Sequence, residues 1–426
     1  MDILPSALEN CIASFRPLLR VEVYQTFYYL MVGLLVGEAK FGAVRSSVFA
    51  LSDYQPSRIS DFFTTHRVSP QAMMAELTAP SLRLIYGGEL PERLIWLADS
   101  TQTEKPHAEK ISGLGLFHRS KRVTGRASYL QGHCYVCAAH LYQYHDADGR
   151  LRSTSLLCGA LLYIKGVSIP ALVGRLARHL RLPKAIRHVW VVDRGIISRT
   201  LLKALLPLGH FVLGRLRSNQ IVYFAPRRQP SRGRKKIYGR KCRVDRLLRN
   251  FPDRLRSHGV NLRVQGQERA VKIYDAEILL RGVKAGHPCP ARALIVVVPD
   301  LPQLKPSYLL TTDLDLDPVA AVQAYAGRLH IEVNFDEAKE LGLGYYQGRS
   351  GAGVRRWAVL ICIALALLKL AASGFIRLDL PRLHWSWYRR EDTVGQIHRR
   401  LIEFCRPHIS RATAFQPFLQ KLRIAP

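Results

Sequence analysis

Over the first part of the chain, apolar residues recur at spacings of three and four, as at Leu18, Val21, Val23, Phe27 and Leu30. That is the period of an amphipathic helix. Ser57, Ser60 and the Ser69-Pro70 pair read as helix starts, the last a capping hydroxyl with proline at the first helical position. Residues 1–88 are therefore expected to form a helical domain. The texture then changes. Residues 94–99 form an apolar run ending in the acid Asp99, and 188–193 a second such run ending in Asp193. Residues 113–119, 133–140 and 211–214 are further strand candidates, and 198–208 reads as a helix. Strands alternating with helices predict an α/β domain with a mixed central sheet. Strand-like pieces resume at 271–280, 293–298 and 308–312, followed by helices over 318–340 and 351–372. The most apolar run, 357–368, ends at Lys369. It is shorter than the roughly 20 residues a spanning helix needs and reads as a buried core helix.

Charge then separates the function classes. The chain has 426 residues, with 63 Lys and Arg against 32 Asp and Glu, a net charge of +31. Apolar residues make up 48%, enough for a real core, which excludes a disordered basic tail. Such a charge attracts polyanions, and a nucleic acid is a better reading than a solubility charge or an anionic membrane. Residues 226–256 alone carry 13 Lys or Arg against two Asp. Arg232, Arg234, Lys235, Lys236, Arg240 and Lys241 sit at the centre of that segment, interleaved with glycines and Tyr238. This composition suits a loop that follows a phosphate backbone, or a solvated charge run. The helical N-terminal domain fits DNA binding and packing or dimerisation equally.

The eight cysteines are too sparse for a disulfide scaffold. Cys134 and Cys137 form a lone CxxC in a strand-like stretch with no second ligand pair, so a structural role is expected rather than zinc binding. The start of the chain shows no basic region followed by a cleavable apolar run, and a cytoplasmic protein is expected.

Asp99 and Asp193 are the first candidates for chemistry. A buried strand delivers the side chain at its end to a fixed place on the sheet rim, and a carboxylate held there is often a metal ligand. The helix over 325–339 offers a third acid. Tyr325, Arg328, Glu332 and Lys339 are offset by three, seven and fourteen residues from the first. At about 100° per residue they share a stripe roughly 60° wide, with Asp336 close to it. That mixture is an unusual core stripe; a solvated face with an Arg328–Glu332 salt pair is the competing explanation.

Tyr325-x-x-Arg328-x-x-x-Glu332-x-x-x-x-x-x-Lys339 resembles the Tyr-Arg-Glu-Lys signature of insertion-sequence DDE transposases. The flanking residues 308–314 and 339–346 resemble theirs, as do Asp99-Ser100-Thr101 and Val191-Val192-Asp193-Arg194-Gly195. The likeness extends from the helical N-terminus to about residue 372. It implies an RNase H-like mixed sheet flanked by helices, with Asp99, Asp193 and Glu332 as catalytic and metal-binding acids. It also implies a β-rich insertion between the second Asp and the Glu. The gaps of 93 residues from Asp99 to Asp193 and 138 from Asp193 to Glu332 leave room for it. The expected division is 1–88 helical, 89–215 and 307–375 catalytic, 216–306 β-rich and basic, and 376–426 a basic aromatic C-terminal region. Leu329 stands where such enzymes often have Trp, and Ser198 where they often have an aromatic.

The resemblance implies two Mg²⁺ ions per site, with Mn²⁺ able to substitute. It further implies cleavage at transposon ends and strand transfer into target DNA. The partners would be double-stranded DNA, both terminal inverted repeats and target, and a second copy of the chain in a synaptic complex, in a prokaryotic nucleoid. Arg328 and Lys339 would hold phosphates, and Tyr325 would stack or donate to one. The rival readings are a decayed or domesticated DNA-binding derivative, an RNase H-like endonuclease that does not join strands, and a peripheral membrane protein.

Overall fold

Pro5 and Ser6 open a short helix, α1 (Ser6–Ala13), and a 3₁₀ turn over Arg16–Leu18 leads into α2 (Val21–Val36). The computed structural model describes residues 3–37, 56–119, 127–146, 148–226, 233, 235–284, 287–381 and 393–410. In α2 the residues Val23, Phe27 and Leu30 are buried, as their spacing predicts. Leu18 and Val21 are not, with 37% and 62% exposure, because Leu18 closes the turn and Val21 only starts the helix. Next come α3 (Pro56–Thr64) and α4 (Pro70–Tyr86). Ser69 caps α4, its hydroxyl accepting from the Ala72 amide at 3.2 Å. Ser57 and Ser60 lie inside α3 rather than capping it, and the Ser60 carbonyl accepts from the Thr64 hydroxyl. Gly87, at φ +61°, ends α4 in the left-handed conformation that glycine adopts without a Cβ penalty.

The sheet then forms from β1 (Arg93–Glu104), β2 (Gly115–His118), β3 (Tyr129–His145), β4 (Leu151–Leu162), β5 (Arg187–Val192) and β6 (Phe211–Arg215). Helix α5 (Ile169–His179) connects β4 to β5, and α6 (Arg199–Leu205) connects β5 to β6. The strands lie in the order β4-β3-β1-β5-β6. β1, β5 and β6 are parallel, while β3 runs antiparallel between β1 and β4. This is the RNase H-like mixed α/β sheet that the alternation and the resemblance lead one to expect. β4 and α5 complete it although neither is among the elements read from the pattern. The indole rings of Trp96 and Trp190 stack 5.8 Å apart across β1 and β5 and donate to His188 and His210, both at 3.1 Å.

Between β6 and the last strand, the chain makes β7 (Ile221–Tyr223), β8 (Lys241–Arg243), α7 (Leu247–Asn250), β9 (Arg256–Val264), β10 (Gln267–Lys284) and β11 (His287–Val297). β12 (Ser307–Thr311) joins β6 on one side and β11 on the other, so these strands extend the central sheet instead of forming a separate one. Two buried acids tie strands together, Asp313 at this junction and Asp275 between β10 and β9. Asp313 receives Arg93 at 2.8 Å and Arg187 at 3.1 Å; Asp275 receives Arg256 at 2.8 Å and His258 at 2.7 Å.

Helices α8 (Pro318–Ala326), α9 (His330–Glu340), α10 (Gly351–Ala372) and α11 (Val394–Ser410) follow. α10 is the core helix anticipated at 357–368, buried on all sides and packed on β4, α3 and α4. No helix among the described residues is long and apolar enough to cross a membrane. Lys369, which interrupts the apolar run of α10, is 4% exposed and reaches Glu337 of α9 at 2.9 Å. Arg356 ties α10 to the N-terminal helices by donating to the carbonyls of Phe62 at 2.6 Å, His66, and Val68 at 3.4 Å. All eight cysteines are free thiols, and Cys134 and Cys137 are buried in β3.

Candidate active site

Register places the first two acids side by side. β1 and β5 are parallel with Ala98 opposite Val192, so the next residues, Asp99 and Asp193, leave adjacent strands at the same level. Strands lie about 4.8 Å apart, and matched positions of a parallel pair face the same way. Asp193 follows the end of β5, as its apolar run predicts. Asp99 does not end its strand. β1 continues to Glu104 because its other edge stays paired with β3 as far as Gly132. What ends at Asp99 is the parallel pairing, which opens the rim there.

The third acid arrives on α9. The stretch read as one helix is two, α8 and α9, joined by a 3₁₀ turn over Gly327–Leu329. Gly327 lets that turn press on β3: a Cβ there would stand 2.6 Å from a methyl of Leu141. The tighter turn places Arg328 over the sheet. Its Nη1 donates to Asp99 Oδ2 at 2.9 Å and its Nη2 to Glu332 Oε1 at 3.2 Å. The solvated-face explanation therefore fails for Arg328, whose side chain is 15% exposed, and holds only for the outer part of Glu332, at 55%. Tyr325 is half-buried at the end of α8, where burial pushes its hydroxyl up and the charges of Arg328, Asp193 and Arg215 act on it. Lys339 lies two turns beyond Glu332. Its charge acts on Cys137, the register partner of Asp99.

The electrostatics single out Asp99. Burial raises its carboxyl above the ordinary carboxylate value; the Ser100 amide and Arg328 pull it down, while Asp193 and Glu332 push it up. Three carboxylates from separate elements thus share one field, with a guanidinium bridging two of them. Among the described residues no three His, Cys, Asp or Glu side chains stand close enough to enclose a metal ion. The donor chemistry still fits hard divalent cations, which take carboxylate oxygens. The positive charge these acids require is supplied here by Arg328, which holds the place between Asp99 and Glu332.

The cations of the insertion are partly visible. Lys235, Lys236, Arg240 and Lys241 are exposed, and the Arg240 guanidinium lies 5.8 Å from the centroid of the Phe251 ring. Arg232 and Arg234 lie outside the described residues, as do Trp385, Trp387 and Tyr388. Sequence reasoning missed Arg215. Val192 pairs with Gly214, so Arg215 follows on the same rim as Asp99 and Asp193. The signal was present, since Arg215 also ends a short apolar strand. Ser198 caps α6 by accepting from the Leu201 amide at 3.2 Å. Leu329 is 61% exposed.

No protein-family model and no curated protein matches the chain. Among solved structures, it is similar to a piggyBac transposase in a synaptic complex with hairpin DNA. The match has 12% identity over 99% of this chain and 82% of that one, with a TM-score of 0.35. A likeness that distant bears on neither residues nor activity, which rest on the geometry above.

Proposed function

We propose that the chain is a DNA transposase of the DDE type, which cleaves phosphodiester bonds at the ends of a DNA element and joins those ends to a target. The observation that carries this reading is the convergence of Asp99, Asp193 and Glu332 on one rim of an RNase H-like sheet, with Arg328 bridging Asp99 and Glu332. The large positive charge of the chain supports a DNA partner.

Asp99, Asp193 and Glu332 would hold the divalent cations through their carboxylate oxygens. When bound, a pair of Mg²⁺ or Mn²⁺ ions neutralises charge on the attacking and leaving oxygens of a phosphoryl transfer. The remaining tasks belong to the chain. Arg328 sits within reach of both the carboxylates and any phosphate they face, and a guanidinium engages phosphate through two donors at once. Arg215 adds a cation at the β6 end of the same rim. Lys339 carries a point charge further along α9. The Tyr325 hydroxyl, protonated at neutral pH like any phenol, donates to a phosphate oxygen. The exposed cations over Lys235–Lys241 grip the backbone away from the reacting bond. No covalent enzyme intermediate is needed, since water or a DNA 3′-hydroxyl is the nucleophile. Holding two DNA ends together calls for at least two copies of the chain.

The test is Glu332→Gln assayed with Mg²⁺ on DNA that carries the ends of the element. It is expected to lose cleavage and keep DNA binding, and full cleavage by this variant would overturn the assignment. Cleavage by the parent chain without strand-transfer product would favour a structure-specific endonuclease.

A further inference from the structure

A cleft of about 640 Å³ opens between the end of β1 and the loop that leaves α9. Two of the three elements that carry the acids, β1 and α9, lead into it. Asp99, Thr101 and Thr103 share one face of β1 by the two-residue period of a strand, so Thr103 lies roughly 13 Å beyond Asp99. Lys339 follows Glu332 by seven residues, roughly 10 Å along the helix axis. Thr103 and Lys339 both line the cleft, as do Lys105 and His107.

The lining carries uncompensated positive charge. Among the described residues no carboxylate pairs with Lys105 or Lys339. Lys105 Nζ donates to the Tyr346 carbonyl at 2.8 Å, which fixes the ammonium at the wall, and burial pulls its pKa below the usual lysine value. The acid on the lining, Glu104, is already bound by Arg119, with Nη1 at 3.3 Å and Nη2 closer. Thr103 is 5% exposed, and its buried Oγ1 has no hydrogen-bond partner. A half-buried ammonium without a counterion and a buried hydroxyl without a partner both carry a cost that an anionic ligand with acceptor oxygens removes.

We propose that this cleft is a second phosphodiester-binding subsite, in which Lys105, Lys339 and Thr103 hold the backbone of the strand that carries the scissile phosphate. At about 3.4 Å of axis per nucleotide on one strand, the 13 Å offset places the held phosphate about four nucleotides along. The inference rests on the proposed DNA-cleaving function and assigns the path of the strand past the reacting bond.

The experiment is lysine acetylation, read by mass spectrometry, on the full chain with and without a short duplex at low salt. Lys184 serves as the reference, being exposed and placed before β5, at the opposite strand end from the carboxylates. Lys105 and Lys339 are expected to lose most of their reactivity with one duplex bound per chain, while Lys184 keeps its own. A second measurement follows duplex affinity against salt. Lys105→Gln is expected to reduce the slope of log K against log salt by about 0.9, and Lys105→Arg to restore it. Unchanged Lys105 reactivity in a chain that binds and cleaves DNA overturns this inference and leaves the proposed function standing. Protection that appears only when a second duplex binds overturns the placement on the scissile strand. A chain that binds no duplex overturns both readings.

Discussion

Replacing Arg328 with Gln keeps a polar side chain over the sheet but removes the charge between Asp99 and Glu332. The magnitude follows from the two ion pairs. The pair with Asp99, at 2.9 Å with side chains 15% and 22% exposed, is the stronger. Cutting a fully buried pair costs about 3–5 kcal/mol, and partial exposure reduces this to roughly 1–3 kcal/mol. The pair with Glu332, at 3.2 Å and 55% exposed on the acid side, adds about 0.3–0.5 kcal/mol. The guanidinium therefore neutralises the acids in the free protein, and on the proposed function a divalent ion would compete with it for them. Without it, the three carboxylates repel one another unscreened. Arg328→Gln is expected to bind Mn²⁺ about 5- to 150-fold more tightly in the absence of DNA, the ratio that 1–3 kcal/mol represents. Isothermal titration of the DNA-free protein with Mn²⁺ measures it. The same variant should cleave DNA more slowly, because it has no guanidinium to donate to the phosphate. Equal or weaker Mn²⁺ affinity in Arg328→Gln would refute the idea that this side chain stands in for a cation.

Other consequences concern stability and DNA affinity. Lys369→Met alone leaves the Glu337 carboxylate without its partner and should cost roughly 2–4 kcal/mol in denaturant unfolding, the fully buried value reduced because Glu337 is 21% exposed, whereas Lys369→Met with Glu337→Leu should be neutral or stabilising by about 1–4 kcal/mol; a single variant as stable as the double would contradict this. Asp99→Asn should be more stable than the parent at neutral pH, because the folded surroundings disfavour the Asp99 anion. That advantage should fade as pH falls through the raised carboxyl value and vanish below about 3.9, where the side chain is protonated folded or unfolded. Thermal melts across that range decide it, and a gap that widens on acidification would contradict the sign. Changing Lys235, Lys236, Arg240 and Lys241 together to Glu should weaken duplex binding and flatten its salt slope by about 0.9 for each phosphate no longer neutralised; an unchanged slope would mean these cations only face solvent.

The sequence made the acids legible because two of them follow apolar strand runs and the third shares a helix stripe with Arg328. It left their relation hidden. Asp99 and Asp193 are neighbours through the parallel register of β1 and β5, a pairing across 93 intervening residues that no local pattern encodes. The Arg328 bridge depends on a 3₁₀ turn, and the wheel drawn for one continuous helix gives no sign of it. Gly327, pressed on Leu141, was its local mark. Within the insertion β10 and β11 were readable as strands over 271–280 and 293–298, whereas β7, β8 and β9 were not, and the continuation of the central sheet through β12 rests on long-range pairing. Lys369 read as an interruption of a core helix. Its partner Glu337, on α9, showed only once the two helices were packed together.

The central claim is that Asp99, Asp193 and Glu332 act together on DNA. The most direct measurement is Mg²⁺-dependent cleavage of duplex DNA carrying the sequence that flanks the gene, by the parent and by Glu332→Gln, with binding followed in parallel. The account predicts cleavage and end joining by the parent, and neither by the variant, at equal DNA affinity. Cleavage by Glu332→Gln at the parent's rate would contradict it.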